Sequence, residues 1–304
     1  MPARVGAPLP RQAVLMVNAH SRRGRRLYRD ACRKLGAAGI ELLDRQAIRK
    51  PKELPERVAA AVKSGAPMII VGGGDGSLSS AVDGLVGTDV VFALLPLGTA
   101  NSFARAMGIP LDLDGAIEVL ATGERRRIDL GLIDRDYFAN NATIGLATQI
   151  AETIPPGLKR GLGRFGYGMW ATLRLLRFRP FMLSVDGQRL QVTEVRISNA
   201  GYHGGVELIE SAGVQTGDIV VQAVTGSGRR HLLWNYLAST LRLAQRRATV
   251  REFRGQSLRI ECDPPQGISI DGEVLAHTPV TAGVARGVIE VAAPRVTPGI
   301  VETR

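Results

Sequence analysis

The sequence predicts two parts of different class: a doubly wound parallel α/β domain over residues 1–127 and an antiparallel β domain over 128–293. Three observations carry this reading. At 304 residues the chain exceeds one average domain. Short apolar runs alternate with amphipathic stretches as far as Gly108, the pattern of strands linked by helices. Beyond Ile128 the pattern changes to apolar runs separated by tight turn signals.

Taken in order, Ala13–Val17 reads as a strand, Arg25–Leu35 as a helix, Ile40–Leu43 as a strand and Leu54–Val62 as a helix. Met68–Val71 then leads through glycines into a helix with Leu78, Val82 and Leu85 on one face. Val90–Leu95 leads through Pro96–Thr99 into another, carrying Phe103 and Met107 and stopped by Gly108 and Pro110. In the second part, Ile128–Ile133 and Tyr137–Ala142 flank Asp134-Arg135-Asp136, and further strands are expected at Phe181–Val185, Gln191–Ser198, Ile219–Val224, Ser257–Glu261 and Ile268–Leu275. Two Arg-rich stretches, Leu158–Phe178 and Arg230–Arg247, read as helical insertions, and the tail 294–304 is open to packing back on the first domain.

Composition narrows the class. Apolar residues make up 45%, charged residues 22% and mean hydropathy is +0.05, which excludes collagen-like, disordered and coiled-coil chains. The longest apolar run, about eight residues at Val90–Leu97, is too short to span a bilayer. Met1–Arg11 has no apolar core of a secretion signal, so a cytoplasmic protein is expected. Cys32 and Cys262 are too few and too far apart for a disulfide framework or a paired zinc site and are expected as buried thiols. The four histidines show no metal-ligand spacing. The net charge of +11, with 34 of the 39 basic residues Arg, points to an anionic partner: nucleotide phosphate, nucleic acid or an acidic lipid surface. With aromatics at 5% and no recognition motif, nucleic acid is not expected.

The sharpest local feature is Gly72-Gly73-Gly74-Asp75-Gly76-Ser77 between a strand and a helix. Glycines let backbone come close to a ligand, and the amides at a helix start attract phosphate. A carboxylate in such a cradle repels phosphate unless a cation mediates, which suggests Mg²⁺. The alternative is a tight turn in which Asp75 caps the helix. A second loop in the equivalent position, Pro96-Leu97-Gly98-Thr99-Ala100-Asn101, would lie at the same carboxyl edge of a parallel sheet, where ligands bind. Asn18-Ala19-His20-Ser21 is a third polar loop there, either a donor set or a simple cap. Neither a P-loop nor a Rossmann fingerprint occurs.

Gly73-Gly74-Asp75-Gly76-Ser77, Leu95-Pro96-Leu97-Gly98-Thr99-Ala100-Asn101, Ile128-Asp129-Leu130-Gly131 and Asp271-Gly272-Glu273 together resemble, in order, the signatures of the diacylglycerol kinase catalytic-domain family, which includes bacterial soluble lipid kinases and sphingosine kinases. The resemblance runs over nearly the whole chain. It implies that the second part is a β-sandwich and that ATP and Mg²⁺ bind between the two domains, the γ-phosphate passing to the hydroxyl of diacylglycerol or a related long-chain lipid alcohol. It further implies that Gly73, Gly74, Gly76, Ser77 and Gly98 lie along the phosphates and that Asn18, Thr99 and Asn101 contact nucleotide. Asp75 and Asp129 would organise the metal, Glu273 would be the general base, and Lys159 would stand near the active site. The chain departs from the family pattern at Ser80 and Ser102, where acidic residues are usual, and at Val214-Gln215-Thr216-Gly217, where some members hold a structural metal. From the residues alone, Ile268–Leu275 with Asp271-Gly272 at its centre reads simply as a β-hairpin. The basic, apolar-rich stretches 158–178 and 229–251 fit either an anionic membrane surface or helices packed on the sandwich. The resulting expectation is a lipid kinase of phospholipid biosynthesis, peripherally bound at the inner face of the membrane, with a homodimer left open. An NAD kinase-like enzyme and a non-catalytic nucleotide-binding protein are the rivals.

Overall fold

In this computed structural model the described residues are 6–19, 22–154, 170, 173–174, 178–226 and 250–295. The expected helices at 158–178 and 230–247 lie outside them, apart from Trp170, Leu173, Arg174 and Phe178, as do His20, Ser21, Lys159 and the tail beyond Arg295. The chain forms two compact units. One comprises residues 1–130, 200–216 and everything from Ala285 onward; the other comprises 131–199 and 217–284. The sequence reading cuts the chain at 127/128 and leaves the tail 294–304 open to packing back on the first domain, whereas the contacts draw 200–216 and everything from Ala285 into the first unit.

The first unit begins with β1 (Gln12–Asn18), α1 (Arg22–Ala37), β2 (Glu41–Ile48), α2 (Leu54–Lys63), β3 (Met68–Gly73), α3 (Asp75–Val82) and β4 (Val91–Pro96). These are followed by α4 (Ser102–Ala106), α5 (Leu113–Thr122) and β5 (Glu124–Ile133), whose last residues enter the second unit. The strands pair in parallel in the order β2–β1–β3–β4. β3 and β4 are buried along their whole length, as parallel strands covered on both faces must be. Local chemistry sets the helix ends: α2 has Pro55 in its first turn and is followed by Gly65 at φ +78°, and Asp112 caps α5 by accepting from Gly115 N–H at 2.8 Å. α5 was not anticipated, and α4 is a single short turn that ends at Ala106.

The second unit continues with β6 (Asp136–Phe138), β7 (Asn141–Gly145), α6 (Leu146–Thr153), β8 (Phe181–Val185) and β9 (Gln188–Ser198). The chain then makes an excursion into the first unit, forming the hairpin β10 (Tyr202–His203) and β11 (Val206–Glu207), before returning as β12 (Ile219–Thr225), β13 (Val250–Gly255), β14 (Ser257–Asp263), β15 (Gly267–Ile270) and β16 (Glu273–His277). All the ladders within the second unit are antiparallel. β9 is shared between layers: its first half pairs β8, and its second half lies between β7 and β12. Phe181, Leu183, Ile260 and Val280 meet Ile144, Val195, Ile197 and Val221 in one core, as a sandwich requires. Two hairpins turn on Asp-Gly pairs, Asp186-Gly187 (φ +46°, +84°) and Asp271-Gly272 (φ +45°, +98°), the conformation that matches strand twist. Gly131 faces Phe138 across β5–β6, and a Cβ there would stand 2.1 Å from the ring, so only glycine admits this pair.

The last strand, β17 (Val280–Ala293), runs through both units. It pairs antiparallel with β14 at Val280–Gly283 and parallel with β4 at Glu290–Val291. Buried Glu290 there takes Arg127 at 3.2 Å and Arg125 at 3.6 Å, so its charge is compensated. The Pro294 carbonyl accepts from Arg126 at 2.8 Å. Neither β17 nor β13 was anticipated, and Cys32 and Cys262 are half-buried rather than fully buried.

Candidate functional site

Parallel register brings the ends of three strands together at the carboxyl edge of the first unit. Val17 is level with Gly72, and Gly73 with Pro96, so Asn18, the Gly74–Ser77 turn and the Leu97–Asn101 turn leave the sheet side by side. The two glycine turns touch backbone to backbone: a Cβ on Gly98 would stand 2.5 Å from Gly74 Cα, and one on Gly74 would stand 3.0 Å from Gly98 Cα. No other residue type permits that approach. A Cβ on Gly73 would meet Ser77 Oγ at 2.2 Å, which places the Ser77 side chain back over Gly73. Gly76, one residue into α3, is different, since nothing lies within 4 Å of its would-be Cβ.

Asp75 does cap a helix, although not the one it begins. Its Oδ2 accepts from Ser102 N–H at 3.1 Å and its Oδ1 from Phe103 N–H at 3.2 Å, so it holds the start of α4 and ties the first glycine turn to the second. α3 itself is capped by Gly74. Asn101, only 4% exposed and at φ +49°, closes the second turn on itself. Its Oδ1 accepts from Gly98 N–H at 3.0 Å, and its Nδ2 donates to the carbonyls of Gly98 at 3.1 Å and Pro96 at 3.4 Å. Asn is among the few side-chain-bearing residues that tolerate this backbone region. Thr99 is exposed at the tip, and Asn18 is half-buried at the end of β1. Ser80, one of the unusual serines, donates its hydroxyl to the Gly76 carbonyl at 2.8 Å within α3.

Asp129, buried on β5, is bonded to segments that return late in the chain. Its Oδ1 accepts from Gly287 N–H at 2.8 Å, and its own N–H donates to the Val214 carbonyl at 2.7 Å. In the second unit, Glu273 opens β16 on an exposed face, and among the described residues its carboxylate has no hydrogen-bond or ion-pair partner. The hairpin that carries it is anchored by Asp271, whose carboxylate accepts from Ala139 N–H at 3.3 Å and Asn141 N–H at 3.4 Å. Sequence reasoning gave Asp271 no role; its signal was an Asp-Gly turn beside a candidate base.

The geometry thus gathers Asn18, Gly73, Gly74, Asp75, Gly76, Ser77, Gly98, Thr99 and Asn101 at one edge, with Asp129 on β5 of the same unit and Glu273 in the other unit. Glycine backbone flanking the start of α3 suits a chain of phosphates. Among the described residues no three His, Cys, Asp or Glu side chains cluster as a metal site. A Mg²⁺ ion carried in on phosphates needs only one or two carboxylates, which Asp75 and Asp129 can supply.

Residues 12–133 match the family model for the diacylglycerol kinase catalytic domain, and residues 144–298 match that for the YegS C-terminal NAD kinase beta sandwich-like domain. The chain is 28% identical to a protein of Enterobacter sp. (strain 638) named "Probable lipid kinase YegS-like", over 87% of this chain and 90% of that one. It is 30% identical to lipid kinase YegS of Escherichia coli (strain K12), over 72% of this chain and 75% of the relative. The crystal structure of a diacylglycerol kinase from Bacillus anthracis superposes with a TM-score of 0.71 at 20% identity, covering 96% of this chain and 98% of that one, which shows a common fold. With both halves matched in order, the chain belongs to the diacylglycerol kinase catalytic-domain family, among the YegS-like lipid kinases.

Proposed function

We propose that the protein transfers the γ-phosphate of ATP, in the presence of Mg²⁺, to the hydroxyl of diacylglycerol or a related long-chain lipid alcohol, a step of phospholipid biosynthesis. The observation that carries this is the backbone contact of Gly74 with Gly98 at the carboxyl edge of the parallel sheet, beside the open position at Gly76. The bound Mg²⁺–ATP supplies the phosphoryl group and shields its charge. Gly73, Gly74, Gly76, Ser77 and Gly98 line the phosphates, with Asn18 and Thr99 toward the rest of the nucleotide. Asn101 keeps the second turn in shape. Asp75 and Asp129, each already fixed by backbone amides, would hold the metal. Glu273 takes the proton of the lipid hydroxyl, for which an exposed carboxylate on a rigid hairpin is suited. On this reading residues 1–127 form the nucleotide side and 128–293 the lipid side, with 200–216 contributing to the former. The test is labelled ATP with purified diacylglycerol and with extracted membrane lipids; label in no lipid product would refute the reading.

The lipid substrate resides in a membrane, and charge supports peripheral binding at its anionic inner face. Residues 22–57 hold twelve basic and five acidic residues, seven of the chain's eleven net positive charges. α1 has no acid in its first turn, against the preference of a helix dipole, and Arg25, Arg26, Arg29 and Arg33 are exposed along it. Leu43, on β2 beside this helix, is 50% exposed. Co-sedimentation with phosphatidylglycerol vesicles should fall as salt rises, and binding indifferent to lipid charge and salt would exclude the surface.

A further inference from the structure

We infer that Ser102 is a positioning residue and that the β10–β11 hairpin is the strut through which it sets the second glycine turn for nucleotide; this rests on the kinase reading above. The turn from Pro96 to Asn101 is held by the Asn101 side chain from within, by Gly74 from the first glycine turn and by Asp75 at the start of α4. Leu97 N–H also donates to the Gly73 carbonyl at 2.8 Å, and further support comes from the excursion at residues 200–216. Gly205 N–H donates to Ser102 Oγ at 3.1 Å, and a Cβ on Gly205 would stand 3.0 Å from the Ala100 carbonyl oxygen. Arg105 Nε donates to that same carbonyl at 3.1 Å, which fixes Ala100 from the α4 side as well.

Ser102 takes part in two of these links. Its backbone N–H donates to Asp75 while its hydroxyl oxygen accepts from Gly205, and the residue is 3% exposed. A neutral hydroxyl can accept an amide there without setting a second carboxylate beside Asp75. The hairpin offers little reason for its own existence. It has only two residue pairs, Tyr202–Glu207 and His203–Val206, and turns on Gly204 and Gly205 at φ +59° and +83°, which is too short to be stable alone. Its order therefore depends on what it leans on, and what it leans on through Gly205 is the turn that carries Gly98 and Thr99.

Two variants test this by MgATP calorimetry, by steady-state kinetics and by hydrogen exchange of the 96–103 segment. Ser102→Ala removes the acceptor; Gly205→Ala keeps the N–H but strains the hairpin turn at φ +83° and presses on Ala100. Each should raise the Kd and KM for ATP about tenfold, the scale of one well-placed hydrogen bond, with kcat within about twofold and faster exchange at 96–103. Ser102→Thr, which keeps the hydroxyl, should restore the Ala variant's affinity at least in part, and the double variant should be little worse than either single one. Wild-type MgATP affinity in both single variants would overturn the inference alone. So would a lowered melting temperature with unchanged KM, or a fall in kcat with unchanged KM. Failure of the wild type to bind MgATP would overturn the kinase reading, and this inference with it.

Discussion

The acids of the first unit and the acid of the second are placed on opposite principles. Asp75 and Asp129 each spend carboxylate oxygens on backbone amides, fastening α4 and the turn at Gly287. Glu273 stands on an exposed strand face, and the rigidity it needs is delegated to Asp271 two residues earlier. The difference teaches that, on the proposed reading, a motif carboxylate of the first unit would be scaffold and site at once, whereas in the second unit the two duties would fall to separate residues. Phosphoryl transfer rewards both, since positioning and charge neutralisation dominate its barrier.

Substitutions can break this contrast. Asp75→Ala should produce the largest effect, a loss of about 10³-fold in transfer rate together with about 2 kcal/mol of stability, because it removes a charge and orphans two amides at once. Rate assays paired with denaturant melts check it, and a rate loss with unchanged stability would mean the cap is dispensable. Glu273→Gln should reduce turnover about 10²-fold while leaving the melting curve and MgATP affinity at wild-type values. A stability change there would show that the side chain is also structural. Gly76→Ala has open space and a good helix former in its favour, so the fold should be unharmed or slightly firmer. Calorimetry should nevertheless show MgATP affinity reduced about tenfold, because the new methyl occupies the phosphate side.

The smallest effect concerns the two thiols, one in each unit. Burial pushes the Cys262 thiol up to about 11, and burial also raises Cys32, which lies beside Tyr28. A raised thiol pKa means less thiolate at pH 8, so iodoacetamide should modify native Cys262 slowly, Cys32 sooner, and both rapidly once unfolded. Mass spectrometry of timed samples would reveal the order, and early labelling of Cys262 would contradict the packing of β14 against the sandwich core.

Much of this was legible in the sequence for physical reasons. β1, β3 and β4 were readable because each is a short apolar run, whereas β2, charged and largely exposed, is read only as far as Leu43 although it runs to Ile48; the Asp186-Gly187 and Asp271-Gly272 hairpins were readable because such pairs make that turn cheaply. The glycine turns were legible as places of close backbone approach, while the residues alone left a phosphate cradle and a tight turn both open. β17 was not, because Val280–Ala293 changes partners midway and its burial pattern is irregular. Nor were the partners of Asp75 and Asp129 visible. Phe103 is 28 residues from Asp75 and Gly287 is 158 from Asp129, and no local pattern encodes such distant amides. Ser102 appeared only as a departure from a family pattern; its bond to Gly205, 103 residues away, is a tertiary fact.

The path of β17 has a practical bearing on how this protein can be taken apart. A fragment ending near residue 127 keeps every parallel strand of the first half yet loses the neighbour that β4 pairs with at Glu290–Val291, and with it the carboxylate that Arg125 and Arg127 share. Val91 and Phe92 would then border an open strand edge, an invitation to aggregate. Dissection would fare better by joining residues 1–130 through the 200–216 segment to the strand from Ala285, leaving out only 131–199 and 217–284, than by any single truncation.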